Sequence, residues 1–210
     1  MLNISKSPAV SLQHRHLGAI AALILISLLS SWSGLSLHHV IANGWDGLLW
    51  GIADPVLSLV SLSSIVAIGL LSAGVVQGLL ITTVFLVSAI LGILLHLSQI
   101  NLPGAEMTVS LASIACGAIL IMPHQLHWLI IAMVGAIAGC FQGYVNAQSL
   151  IGVEIIPILT YILGTVLTLY AVALSAKEIT IKNALPQVNC WLGWAFCGIG
   201  IVLSRHVTHQ

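Results

Sequence analysis

The side chains able to do chemistry in this sequence are few. His38 and His39 stand side by side, the carboxylates Asp46, Asp54, Glu106 and Glu154 are scattered, and the amides Gln142, Asn146 and Gln148 cluster. Two imidazoles with several carboxylates suit a borderline divalent ion such as nickel or cobalt. The metal ligands read from the residues are therefore His38, His39, Asp54 and Glu154. A bound Ni or Co ion is the only cofactor-like species this set calls for. The plainer alternative for the histidine pair is a place at a membrane interface. Gln142 and Asn146 are four apart, so they share a helix face, and with Glu106 and Gln148 they read as the lining of a polar path. Interhelical hydrogen bonding is the other common use of such amides.

Asp54-Pro55 matches a helix start, with Asp as cap and Pro at the first helical position. A carboxylate at the mouth of a cation path is the functional alternative. Glu106, after Leu102-Pro103-Gly104-Ala105, suits the first turn of a helix, where it complements the dipole. His124 and His127 are three apart at a turn, and with His96 they are expected to meet water or lipid headgroups. Catalytic sets are missing. There is no Gly-x-Ser-x-Gly elbow, no His-Glu-x-x-His helix and no phosphate-cradling glycine loop, so an enzyme is not expected.

The elements that carry these residues are set by composition. Of 210 residues, 59% are hydrophobic and 5% charged, and the mean hydropathy is +1.14. A soluble surface needs roughly a quarter charged residues, so the lipid bilayer is the expected surrounding. Five basic residues against five acidic ones leave no excess charge to attract nucleic acid. Cys116, Cys140, Cys190 and Cys197 lie in apolar runs without CxxC spacing and read as small buried hydrophobes.

Runs long enough to approach the roughly 20 residues that a bilayer requires occur at 17–35, 55–71, 76–97, 107–122, 128–144, 153–174 and 191–203. They are continuously apolar, which excludes the alternation of a β-barrel. The expected fold is all-α, a polytopic helical membrane bundle of six to seven transmembrane helices. Short links predict antiparallel neighbours in an up-and-down arrangement, and small residues such as Gly135, Ala136, Ala138 and Gly139 predict close helix approach. Lys6 and Arg15 before the first run, and Lys177 and Lys182 between the sixth and seventh, predict a cytoplasmic N-terminus. Residues 1–36 read as an N-terminal leader, either a signal peptide or a first transmembrane anchor, and 37–210 as the bundle proper.

With spans and polar residues in place, the chain resembles the HupE/UreJ family of bacterial nickel or cobalt permeases along nearly its whole length. Gly51-Ile52-Ala53-Asp54-Pro55-Val56, continuing to Val66-Ala67-Ile68-Gly69-Leu70-Leu71, is similar to the first family signature, in which His-Pro is followed by Asp-His and an apolar span. Leu102-Pro103-Gly104-Ala105-Glu106 resembles a Leu-Pro-x-x-Glu segment. Phe141-Gln142-Gly143-Tyr144, followed by Gly152-Val153-Glu154, resembles the second signature, where Phe-His-Gly-Tyr precedes an acidic residue. The departures fall on the ligands. Asp54 stands for the first His, Val60-Ser61 for Asp-His, Gln142 for the second signature's His, and Gln148 for an acidic position. The resemblance implies a permease-like membrane protein moving nickel, cobalt or another small solute. The exchanged ligands favour the alternative, a non-transporting accessory or assembly subunit of a membrane complex. The partners expected are the lipid bilayer, a small inorganic cation, and a membrane-protein partner or second copy of the chain.

Overall fold

The computed structural model describes residues 8–33, 40–122, 126–183 and 186–208. Among the described residues the chain is helical, running α1 (Pro8–Ser33), α2 (Gly44–Leu57), α3 (Leu59–Ala73), α4 (Gly78–Leu97), α5 (Ala105–Ile121), α6 (Trp128–Asn146), α7 (Ile155–Asn183) and α8 (Pro186–Thr208). A 3-10 turn, Ala147–Leu150, follows α6. Three helices, α4, α6 with its turn, and α7, are long and apolar enough to cross a bilayer, and α2 with α3 makes a fourth such unit bent by 80°. Shorter apolar stretches lie in α1, α5 and α8. Among the described residues three helices, or four units with the bent pair, thus have the length and apolarity of a span, where the sequence reading expected six to seven.

The outward faces explain why such a chain needs lipid. Ile156, Leu159, Leu163, Leu167 and Tyr170 form an exposed stripe at helical spacing along α7, and Leu80, Val87, Leu91 and Leu94 do the same on α4. Apolar surface this continuous is unfavourable against water and ordinary against hydrocarbon.

The break between α2 and α3 has a local cause. Pro55, inside α2, provides no N–H for the preceding turn and crowds it. Three residues later Ser58 is extended (φ −81°, ψ 114°), and its hydroxyl accepts a hydrogen bond from the Ser61 N–H at 3.3 Å, which starts α3 in a new direction. The expected capping role of Asp54 is thereby corrected. Asn43 caps α2, its side-chain oxygen accepting from the N–H groups of Trp45 and Asp46 at 2.9 Å each, Ser58 caps α3, and Asp54 lies in the last turn of α2. Residues 44–54, which lie between the first two apolar runs, are helical. The misreading came from Asp-Pro, which is as compatible with a helix about to break as with one about to begin.

After the break α3 is buried on every side, from Ser61 through Ser72, as a helix apolar all round should be. Leu62, Ile65, Val66 and Ile68 form the main core with Ile81 and Phe85 of α4, Ile131 of α6 and Leu169 of α7. The tightest helix pairs are not sequence neighbours, which corrects the simple up-and-down expectation: α4 packs on α6, α5 on α8, and α2 with α3 on α7. Small residues select these partners. Gly51 meets the Tyr161 carbonyl, and Gly143 meets the Ala89 carbonyl, so closely that no Cβ fits at either position. Contacts that advance together, Gly47 to Pro157 and Gly51 to Tyr161, make α2 and α7 parallel, whereas Gly117 to Gly193 and Gly200 to Ser110 make α5 and α8 antiparallel.

Helix α1 packs on α2, α3 and α7, with Ile20 in the core and the Ser27 hydroxyl donating to the Leu57 carbonyl at 3.4 Å. Helix α7 continues to Asn183, so Lys177 and Lys182 belong to its C-terminal turns rather than to a loop.

Candidate functional site

The most polar place in the apolar interior lies at the α2–α3 break. Asp54 is 4% exposed and Tyr161, on α7, is wholly buried. Gly51, one turn before Asp54, lets α2 close onto the Tyr161 backbone, and this approach brings the carboxylate to the phenol. The Tyr161 hydroxyl lies 2.7 Å from Asp54 Oδ2 and 2.7 Å from the backbone oxygen of Asn146 at the end of α6. A phenol carries one proton. Serving two acceptors at the same short distance, Tyr161 ties three helices together through a single atom.

Helix α3 supplies the other wall. The Ser61 hydroxyl donates to Asn146 Oδ1 at 3.4 Å, and seven residues further along α3 the Ile68 side chain packs over Gly135 of α6. The numbering rises on one helix as it falls on the other, so α3 and α6 are antiparallel here. Ser64, one turn in from Ser61, and Gln142, one turn in from Asn146, therefore lie at the same depth. Ser64 is wholly buried and Gln142 is 1% exposed. Neither atom of the Gln142 amide, nor the Ser64 hydroxyl, nor the Asn146 amide nitrogen makes a hydrogen bond within the protein. Buried polar groups are ordinarily satisfied, at a cost of about 1–3 kcal/mol for each one left unmade, so four together mark a place built for something other than packing.

The structure brings together three of the sequence-predicted residues, Asp54, Gln142 and Asn146, and leaves others apart. Glu154 is exposed at the start of α7, seven residues or roughly 10 Å of helix rise before Tyr161. It borders a separate cleft of about 370 Å³ with Val40, Ile41, Ser149 and Val153. Gln148 is exposed on the 3-10 turn, and Glu106 is exposed in the first turn of α5. Asp46 sits in the first turn of α2 and accepts from the Ala42 N–H at 3.3 Å. His127 caps α6 by accepting from Leu129 N–H at 3.4 Å. His96 stacks edge-on against Tyr144, ring centroids 4.6 Å apart. His38, His39 and His124 lie outside the described residues.

Among the described residues no three of His, Cys, Asp and Glu converge. What converges is one carboxylate with hydroxyls and amides. Ser61, Asp54 and Gln142 are the positions where the resembled signatures carry histidine; Ser61 and Gln142 lie about one turn apart in depth, and Asp54 is linked to the Asn146 backbone through Tyr161. Sequence reasoning missed Tyr161 and Ser64. A tyrosine inside an otherwise aliphatic run is the one signal for the former, since a buried phenol needs a partner.

No curated protein and no solved structure matches the chain. The family model described as HupE / UreJ protein matches residues 16–203, spanning α2 through α7 and with them every residue of the buried polar site, so the chain belongs to the HupE/UreJ family.

Proposed function

We propose that this is a permease-like integral membrane protein of the HupE/UreJ type, with six to seven spans, moving nickel, cobalt or another small solute past the α2–α3 break. The observation that carries the reading is Asp54, a buried carboxylate in the last turn of a broken helix, held by Tyr161 at 2.7 Å. Carboxylates at membrane depth are costly and are kept for pathways and relays. Broken helices are where secondary transporters build their sites, because freed backbone and side-chain groups there can face a cavity without facing lipid. Family membership supports a membrane role related to nickel or cobalt transport.

A second reading is favoured by one observation: the convergent residues are oxygen donors, with no three of His, Cys, Asp and Glu together among the described residues. Loss of imidazole weakens nickel and cobalt binding, and a family member without that site would serve as an accessory or assembly subunit. The two readings separate in proteoliposomes. Uptake of radioactive Ni or Co that saturates in the intact protein and falls at least about tenfold in Asp54→Ala supports the permease. Uptake equal to that of protein-free liposomes, with the protein folded and inserted, removes nickel and cobalt as solutes and leaves the accessory reading or another solute.

A further inference from the structure

We infer that the buried layer formed by Asp54, Ser61, Ser64, Gln142 and Asn146 is a binding site for a single alkali-metal cation. It rests on the permease reading for its role, that of a coupling ion, but not for its existence.

The donor set decides the class of ligand. The atoms of these five side chains able to ligate a cation are all oxygen, a carboxylate, two hydroxyls and two amide oxygens, with the Asn146 backbone carbonyl beside them, while the Gln142 and Asn146 amide nitrogens are donors that a cation leaves aside. Oxygen-only sets prefer hard cations, whereas nickel and cobalt favour imidazole and thiolate mixtures. Gln142 is the independent witness. It is 1% exposed, and both ends of its amide lack a protein partner while its neighbour one turn away, Asn146, is already bonded to Ser61. The Gln142 amide thus keeps a buried acceptor oxygen available to a positive centre, beside a buried donor nitrogen.

Charge then fixes the valence. The layer contains one carboxylate, and the sequence holds no Lys or Arg from residue 16 to residue 176. A monovalent cation brings these side chains to neutrality in a low-dielectric interior, and a divalent one leaves a net positive charge without histidine or a second acid to spread it. The helix break adds a fitting polarity, since the C-terminal end of α2, the negative end of its dipole, lies beside Asp54. Tyr161 donates to one Asp54 carboxylate oxygen at 2.7 Å. An ion drawing Asp54 inward would compete with that hydrogen bond and so act on the packing of α2 against α7.

The test is thermal unfolding of the purified full chain in detergent, in NaCl, KCl or choline chloride at equal ionic strength. The expected result is a saturable upward shift in Tm with Na or K that choline does not give, as mass action on a native-state site requires. Asp54→Asn should abolish the shift and Gln142→Leu should reduce it. Coincident curves in all three salts for the unmodified protein overturn the inference. Should a variant fail to fold, radioactive Na binding to the unmodified protein decides: one saturable ion per chain, displaced by NaCl and not by choline chloride, supports the site. No saturable binding, or displacement by micromolar Ni or Co, overturns it. Alkali-ion binding without solute flux sinks the permease reading and keeps the site. Solute flux indifferent to Na and K, with saturable alkali-ion binding, keeps the site and the permease reading and overturns the coupling role.

Discussion

Tyr161 and Asp54, 107 positions apart in the chain, are joined by a 2.7 Å hydrogen bond in the buried interior. The same phenol oxygen is 2.7 Å from the Asn146 carbonyl, so α2, α6 and α7 share one hydroxyl.

Tyr161→Phe keeps the ring and removes that oxygen. The carboxylate and the carbonyl then lose a common donor in a site without bulk water. A loss of about 1–3 kcal/mol is expected, read as a lower Tm in detergent with helical content unchanged. A variant as stable as the parent would show that the contact contributes nothing net, and α2 would have to be held by its glycine packing alone.

The glycine packing makes its own prediction. A Cβ at Gly51 would collide with the backbone oxygen of Tyr161, while one at Gly198 would meet nothing within 4 Å. Helix backbone cannot yield as a side-chain tip does, so Gly51→Ala should cost at least about 1–3 kcal/mol. Gly198→Ala should lie within about 0.5 kcal/mol of the parent. Equal melting temperatures for the two variants would contradict the close contact of α2 with α7.

How much of this was readable from sequence depends on how local the signal is. Helices α4, α6 and α7 follow from run length alone, and Gln142 with Asn146 follows from helical spacing. Residues 44–50 fall outside the apolar runs because Asp46 and two glycines interrupt so short a stretch. They are helical because Asn43 caps them and because Gly47 and Gly51 let them lie on α7. Tyr161 was silent because its partners are far away in sequence. Lys177 looked like loop charge since apolar periodicity fades there, although a helix end near the membrane surface tolerates a long cationic side chain whose stem is apolar.

The fate of α1 is a further expectation. Ile20 belongs to the main core and the Ser27 hydroxyl donates to the Leu57 carbonyl at 3.4 Å, at the α2–α3 break. A segment that helps to fix the break is expected to stay with the bundle as a first anchor. Intact-mass analysis of protein purified from membranes should find residues 8–33 attached. A mature chain starting at or beyond Gly34 would identify the segment as a cleaved signal, and those contacts would then have no part in the working protein.

Restoring imidazole tests whether the site is one site. Ser61 and Gln142 occupy positions where the family signatures carry histidine, and the antiparallel register of α3 and α6 sets them about one turn apart in depth, with Asp54 across the break. Ser61→His with Gln142→His would supply two imidazoles beside one carboxylate, a set that binds divalent transition metals with open positions left over. Calorimetric titration of the folded double variant should show saturable Ni or Co binding, tightened by at least about tenfold over the parent, in the range that single ligand-shell changes move metal affinity. The Asp54→Asn background should erase the gain, because the carboxylate supplies the only negative charge. Two histidines that fold without disturbing the bundle and still leave nickel and cobalt unbound would mean that the Ser61 and Gln142 side chains face different spaces, and the proposed cation layer would have to be redrawn around Asp54, Asn146 and Tyr161 alone.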